Sequence, residues 1–308
     1  MAGHDERRAT ESIDAALADL DLRTTDEVLS ILLASQRRAL DAVDGARAAL
    51  DRAVAAAAER LGEGEGRLVY VGAGASGRLA VQDGAELWPT FGWPADRLHL
   101  CMAGGDPALT ASVEGVEDDA EAARREVGTA DIGAADVVLA LAASGGSPWT
   151  CEWLRAARER GALAVGLANN AGTPLLEAAE HPILLDTGAE VLAGSTRMAA
   201  GTAQKIALNL FSTALMIRLN RTYGNLMVDM AAANAKLDGR RVRLLRGVLP
   251  ELGEAAAAEA LAAAGGWVKL AALIALGDSP EAALARLASR RGSLREAMAT
   301  LGRGDGAS

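Results

Sequence analysis

Serines set among glycines are the residues of this chain whose types and spacing could do chemistry. Gly72-Ala-Gly74-Ala-Ser76-Gly77-Arg78 satisfies G-x-G-x-x-G. In that spacing glycines let backbone N–H groups approach an anion, and the start of the following helix adds partial positive charge. Ser76 adds a hydroxyl. A second loop, Ala143-Ser144-Gly145-Gly146-Ser147-Pro148, puts Ser147 at an N-cap position with Pro148 as the first helical residue. A third, Gly188-Ala-Glu190-Val-Leu-Ala-Gly194-Ser195-Thr196-Arg197, offers more donors and a cation. Two hydroxyl-rich helix starts at one end of a sheet suit a phosphate monoester better than a dinucleotide. A dinucleotide site also calls for an acidic residue at the end of the second strand, whereas Asp96 precedes that strand. The plain alternatives are a strand-to-helix turn capped by Ser76, an ordinary cap at Ser147, and a surface ion pair for Arg197.

Strands must hold these loops. Leu68–Val71, Leu98–Met102, Val137–Ala142, Leu163–Leu167 and Ile183–Leu185 are short apolar runs separated by helical patterns. Alternation of this kind predicts an α/β fold, a doubly wound five-stranded parallel sheet with ligands at the carboxyl ends of its strands. Thr24 and Glu27 have capping-box spacing, and Val28, Leu32, Ser35, Ala39, Val43, Ala46 and Leu50 follow at helical intervals, so an amino-terminal helix is expected to run on towards Leu61. A long apolar helix is expected from Met198 to Leu219. Beyond it, alanine- and leucine-rich stretches broken by Gly265-Gly266, Gly277-Asp-Ser-Pro280 and Arg290-Arg-Gly-Ser293 predict a small carboxyl-terminal helical unit. The expected division is residues 1–24 as an amino-terminal segment, 25–235 as the sheet domain with its leading helix, and 236–308 as the helical unit. His181, beside Pro182, reads as a strand-edge residue, and residues 302–308 as a frayed end.

The 308 residues suffice for one large domain and a smaller one. A net charge of −10 opposes attraction to nucleic acid or to anionic lipid. Any anionic substrate must therefore be held locally. Two cysteines and three scattered histidines supply neither a disulfide framework nor metal-ligand spacing. No signal peptide and no apolar run of spanning length is legible, which makes the cytoplasm the expected location and a membrane an unexpected partner.

Two carboxylates complete the set. Glu86 lies in Asp83-Gly-Ala-Glu86-Leu-Trp-Pro89-Thr90, where Pro89 is expected to end the helix opened by the first loop, and Glu117 in Val113-Glu-Gly-Val-Glu117-Asp-Asp119. A single glutamate on a helix is ordinarily just solvated. These segments, together with Val69 to Gly92, the second and third loops, Gly201-Thr-Ala-Gln-Lys205 and Tyr223-Gly-Asn-Leu-Met-Val-Asp229, resemble the N-acetylmuramic acid 6-phosphate etherases of the sugar isomerase (SIS) domain group. The resemblance runs in order from about residue 66 to the carboxyl end. It implies an SIS-type fold, a homodimer, no metal or redox cofactor, and cleavage of the lactyl ether of a sugar phosphate to N-acetylglucosamine 6-phosphate and D-lactate. It also implies that Glu86 and Glu117 are the acid/base pair. Ser76, Gly77, Ser144, Gly145 and Ser147 match as phosphate-binding positions, with Glu190, Ser195 and Thr196 as sugar-site positions.

The chain departs from that family where Asp-Ala-Ser-Glu-Cys-Pro-Pro-Thr becomes a segment with Gly84, Leu87 and Trp88, and where Ser-Gly-Arg-Thr-Pro-Tyr becomes one with Gly146, Ser147 and Trp149. Ala199 replaces a lysine, and the Thr-Glu-Ser near the amino terminus lacks the Arg-Asn that usually follows. Two other functions share the loops: a sugar-phosphate-binding regulator of the glucokinase regulatory protein kind, and a ketose/aldose phosphate isomerase. Both glutamates favour the enzyme that releases lactate.

Overall fold

The structure, a computed structural model, describes residues 8–62, 64–231 and 238–301. Each predicted strand run is a strand: β1 Leu68–Gly72, β2 Leu98–Met102, β3 Val137–Leu141, β4 Leu163–Ala168 and β5 His181–Leu184. All neighbours are parallel, in the order β2-β1-β3-β4-β5. Every residue of β1, β3 and β4 is buried. Their sequences are accordingly continuous apolar runs, as expected of strands covered on both faces. In register, Gly72 faces Met102 on one side and Leu141 on the other. The glycine loops therefore leave neighbouring strands at one height, at the β1/β3 point where the strand order reverses and ligands bind in open α/β sheets. His181 opens edge strand β5, where Pro182 is tolerated.

Ahead of the sheet lie α1 Thr25–Gly45 and α2 Arg47–Gly62. The capping box is complete: Glu27 N donates to Thr24 Oγ1, and Thr24 N donates to Glu27 Oε2 at 2.8 Å. The single helix expected to Leu61 is instead two, interrupted at Gly45-Ala46, where glycine is a poor helix former. The expected stripe is still the buried one, at Ser35, Ala39, Val43, Ala46 and Leu50. α3 Gly74–Ala85 and α4 Leu87–Phe91 follow β1. The helix expected to end at Pro89 thus stops at Ala85, because a proline ring clashes with the carbonyl four residues back. Pro89 itself sits in the short α4, whose first turn needs no N–H from it. Glu86 is the residue at the break.

α5 Pro107–Thr110 and α6 Ala120–Thr129 follow β2; α7 Pro148–Glu159 follows β3; α8 Pro174–Ala178 precedes β5; α9 Ala199–Arg218 fulfils the long helix expected from Met198. α10 Asp238–Val248, α11 Glu254–Ala263, α12 Val268–Ala275, α13 Pro280–Ser289 and α14 Leu294–Leu301 complete the chain. One sheet face, with Val69, Val71, Val138, Ala140 and Ala164, packs on Trp149, Trp153 and Leu154 of α7 and on Val127 of α6. The other carries Tyr70, whose hydroxyl donates to Asp83 of α3 at 2.8 Å.

Two compact units divide the chain: Met1–Ala85 with Asp96–Ser212, and Glu86–Ala95 with Thr213–Ser308. The second has its own core, including Val228, Leu245, Leu261, Val268, Leu273, Leu287 and Leu294. The boundary expected near residue 235 and the expected frayed end at 302–308 lie outside the described residues. Among the described residues no single helix is long and apolar enough to cross a membrane.

Candidate active site

Each glycine of the first loop has its own steric task. A Cβ on Gly72 would lie 2.8 Å from the Gly77 backbone, and one on Gly77 would lie 2.6 Å from Gly72 O and 2.4 Å from Met102 Sδ. Strand and helix thus approach backbone to backbone. Gly74 turns the chain with φ +55°, a conformation glycine adopts without penalty. Gly77 N donates to Ala73 O at 3.0 Å, whereas the amides of Gly74, Ala75 and Ser76 begin α3 and lack intrahelical acceptors. Ser76 is the third residue of that helix and buried, so it is not the cap of a plain turn. Among the described residues its hydroxyl has no hydrogen-bond partner.

The second loop is braced from beneath. Gly145, with φ +66°, lies against Thr173; a Cβ there would meet Thr173 Oγ1 at 2.3 Å. Gly145 O accepts from Leu175 N at 3.0 Å. Ser144 Oγ accepts from Gly146 N at 3.2 Å. Ser147 holds the predicted N-cap position before Pro148, yet its side chain does not cap α7. Ser147 Oγ donates to the Glu117 carbonyl at 3.3 Å and lies 3.2 Å from Thr150 Oγ1. That contact ties the Glu117 segment to the second serine loop.

Glu117 is exposed, in a single 3-10 turn, Val116–Asp118, that follows Gly115 with φ +76°. Asp119 then caps α6 by accepting from Ala122 N at 2.8 Å. Glu117 and Gly74 share a cavity of ≈ 140 Å³ with Arg78, Met102 and Ser112. Arg78 is occupied structurally, donating to the carbonyls of Ala108, Leu109 and Ala111 at 2.8–3.2 Å. The structure thus brings the first loop, the second loop and Glu117 together. Glu86 is exposed and belongs to the other compact unit.

The third loop is built differently. Glu190 is buried, and its two carboxylate oxygens accept from Ala199 N at 3.0 Å and Ala200 N at 2.9 Å, holding the start of α9. Ser195 and Thr196 lie in the turn before that helix, with Ser195 N on Leu192 O and Thr196 N on Gly194 O. Arg197 is exposed, and Lys205 bonds Asn209 on its own helix. Asp96 stands at the amino end of β2, about 17 Å of strand away from the glycine loops. It therefore cannot serve a ribose bound there.

Sequence reasoning missed the residues that reach across the chain. Thr10, fully buried, donates its N–H to Asn170 Oδ1 at 3.3 Å, accepts from Asn170 Nδ2 at 3.0 Å, and accepts Gly194 N at 3.1 Å. The segment around it thereby joins the ends of β4 and the third loop. Arg8, Gly146, Asn169, Asn170 and Thr173 line a cavity of ≈ 660 Å³. Buried Asp83 accepts from Tyr70 Oη at 2.8 Å, Asn209 Nδ2 at 2.7 Å and Ser212 Oγ at 3.3 Å, one turn before Glu86. Capping and hydrophobic periodicity carry no trace of such partners.

Known proteins resemble the chain at several levels. Residues 48–156 match the glucokinase regulatory protein N-terminal SIS domain, and residues 115–214 the SIS domain. A phosphoheptose isomerase structure from Francisella tularensis is 19% identical, with a TM-score of 0.44, over 63% of this chain and 98% of that one. The N-acetylmuramic acid 6-phosphate etherase of Deinococcus radiodurans is 48% identical over 292 residues, 94% of this chain and 95% of the relative. That of Rubrobacter xylanophilus is 45% identical over 297 residues, 95% of each. The chain belongs to the N-acetylmuramic acid 6-phosphate etherase family.

Most of its departures from the common etherase pattern have packing reasons. Gly84 presses α3 onto the sheet, where a Cβ would lie 2.4 Å from Leu100 Cδ2. Gly146 leaves room for Arg8, whose Nη2 would be 2.6 Å from a Cβ. Leu87, Trp149 and Ala199 are each at most 1% exposed. In this etherase family member Trp88, within the segment that carries Glu86, is instead exposed, at 53%.

Proposed function

We propose that this chain is a cytoplasmic carbon–oxygen lyase that removes D-lactate from N-acetylmuramate 6-phosphate. The observation that carries the reading is family membership at 48% identity over nearly the whole chain. The Glu117 segment, bonded to Ser147, supports it. In the open-chain sugar the C2 proton is α to the aldehyde. A glutamate removes it, the C3–O bond breaks with departure of lactate, and water adds across the resulting double bond to give N-acetylglucosamine 6-phosphate. Substrate and one water balance the two products. Glu86 and Glu117 share the proton transfers. The free α3 amides, Ser76, Ser144 and Ser147 receive the phosphate, Gly77 and Gly145 shape the loops that hold it, and Glu190, Ser195 and Thr196 serve the sugar site, Glu190 through the helix start it holds.

Incubation with N-acetylmuramate 6-phosphate should release D-lactate, and Glu86→Gln should lower turnover by about 10²–10⁴-fold while binding persists. Full activity in that variant would remove Glu86 from the mechanism. The match to a glucokinase regulatory protein domain favours one second reading, binding without catalysis; sugar-phosphate binding without lactate would establish it. We also infer a homodimer, its contacts drawn from α1, where Leu29, Leu33 and Leu40 are exposed. Sedimentation as a monomer at micromolar concentration would count against it.

A further inference from the structure

Trp88 has no part in the reaction above, and its surroundings assign it another. It lines a cavity of ≈ 330 Å³ with Trp267, Arg221, Arg241 and Asp229. All five belong to the second unit. The volume is that of a small-molecule site.

The polar part of this cavity is firmly built. Asp229, buried, accepts from Trp267 Nε1 at 2.9 Å and pairs with buried Lys269. Lys269 Nζ donates in addition to Asn220 O at 2.7 Å. Arg221 Nη1 stands 3.7 Å from Asp229 Oδ2, and its guanidinium lies 5.4 Å from the Trp93 ring centroid. Gly266, with φ +82°, gives Arg241 its place, since a Cβ there would lie 2.4 Å from Arg241 Nη1. Two cations, Arg221 and Arg241, line the cavity, and a third, Lys269, lies behind its Asp229. They occur in a chain whose net charge is −10.

Indoles are ordinarily removed from water, and Trp93, Trp149 and Trp153 are at most 1% exposed. Trp88 and Trp267 are 53% and 39% exposed. A flat apolar face beside guanidinium groups fits a ring whose C–H surface stacks and whose anionic group takes charge-assisted hydrogen bonds. Two guanidiniums match a dianion. We propose that this cavity binds a phosphorylated pyranose, the ring against Trp88 and Trp267 and the phosphate on Arg221 and Arg241, as a site separate from the serine loops.

The inference does not rest on lactate release, and calorimetry of the full chain tests it with N-acetylglucosamine 6-phosphate as the probe. Two binding events per chain are expected. Trp88→Ala and Arg241→Gln should each weaken one of them by about tenfold or more and leave the other unchanged. The Ser76→Ala/Ser144→Ala double variant should do the reverse, and uncharged N-acetylglucosamine should produce no event that Trp88→Ala abolishes. One event per chain, indifferent to both Trp88→Ala and Arg241→Gln, would overturn the site. So would equal binding of the uncharged sugar. Because Trp88 is half exposed, its truncation leaves the fold intact, and Arg241→Gln reads the same site without touching an indole.

Discussion

Replacing Asp83 by alanine strands hydrogen-bond donors in the layer that carries the first loop. The Tyr70 hydroxyl is fully buried and loses its 2.8 Å acceptor. Burial, reinforced by the Asp83 charge, holds that phenol well above its ordinary pKa, so it stays a donor. A buried donor left unpaired costs about 1–3 kcal/mol, and each ordinary bond lost about 0.5–1.5 kcal/mol. Asn209, partly exposed, can turn to water, and Ser212 Oγ keeps Asn209 O at 3.5 Å. The removed carboxylate was itself desolvated, which offsets part of the loss. The net destabilisation should be about 2–4 kcal/mol. Hydrogen exchange of the β1 amides reads the first unit alone. At 1.36 kcal/mol per decade, exchange through global opening should speed by roughly 30- to 900-fold. Tyr70→Phe removes the stranded hydroxyl, so the Tyr70→Phe/Asp83→Ala double variant should regain about 1–2 kcal/mol over Asp83→Ala. A double variant no more stable than Asp83→Ala would refute the reasoning.

Asp136 accepts from Arg67 N, Arg67 Nη2 and Gly133 N at 2.8–3.0 Å. Burial pushes its pKa up, but these bonds and the Arg67 charge outweigh burial and hold it below the ordinary carboxylate value. A depressed folded-state pKa stabilises above the unfolded value of about 3.9 and loses that contribution as pH falls through the folded one. Urea titrations should thus show Asp136→Asn well below the parent at pH 7, with the gap closing below about pH 4; a gap independent of pH would contradict this. Gly77→Ala should cost about 1–3 kcal/mol through overpacking and abolish sugar-phosphate binding, because its Cβ meets the Gly72 carbonyl as well as the movable Met102 sulfur. Thermal melts and calorimetry check the two effects, and an unchanged affinity would free the loop from its phosphate role.

The strands were legible because burial on both faces demands uninterrupted apolar residues, and the Leu68–Gly72 and Val137–Leu141 runs have few other uses. The Thr24 capping box was equally local. Pro89 was misread for a physical reason: its steric effect falls on the carbonyl of Ala85, four residues upstream, so the helix ends before the proline. At Ser147 the sequence marked the cap position correctly, while the direction of the hydroxyl depended on Glu117, thirty residues away. Asp83 with Asn209, and Thr10 with Asn170, pair across 126 and 160 positions. Such pairs leave no periodicity to detect, so the site's loops could be read and their bracing could not.

The second unit takes Glu86–Ala95 from the middle of the chain and the rest from Thr213 onward. On a ribosome adding about 5–20 residues per second, the Glu86 segment emerges on the order of ten seconds or more before the last helices of its own core. In the interval the nascent chain carries Trp93 without Arg221, whose guanidinium later lies 5.4 Å from its ring centroid. The glutamate at the helix break is thus among the last of the candidate site residues to find its setting during synthesis, and a chain cut after Ser212 would leave it without one.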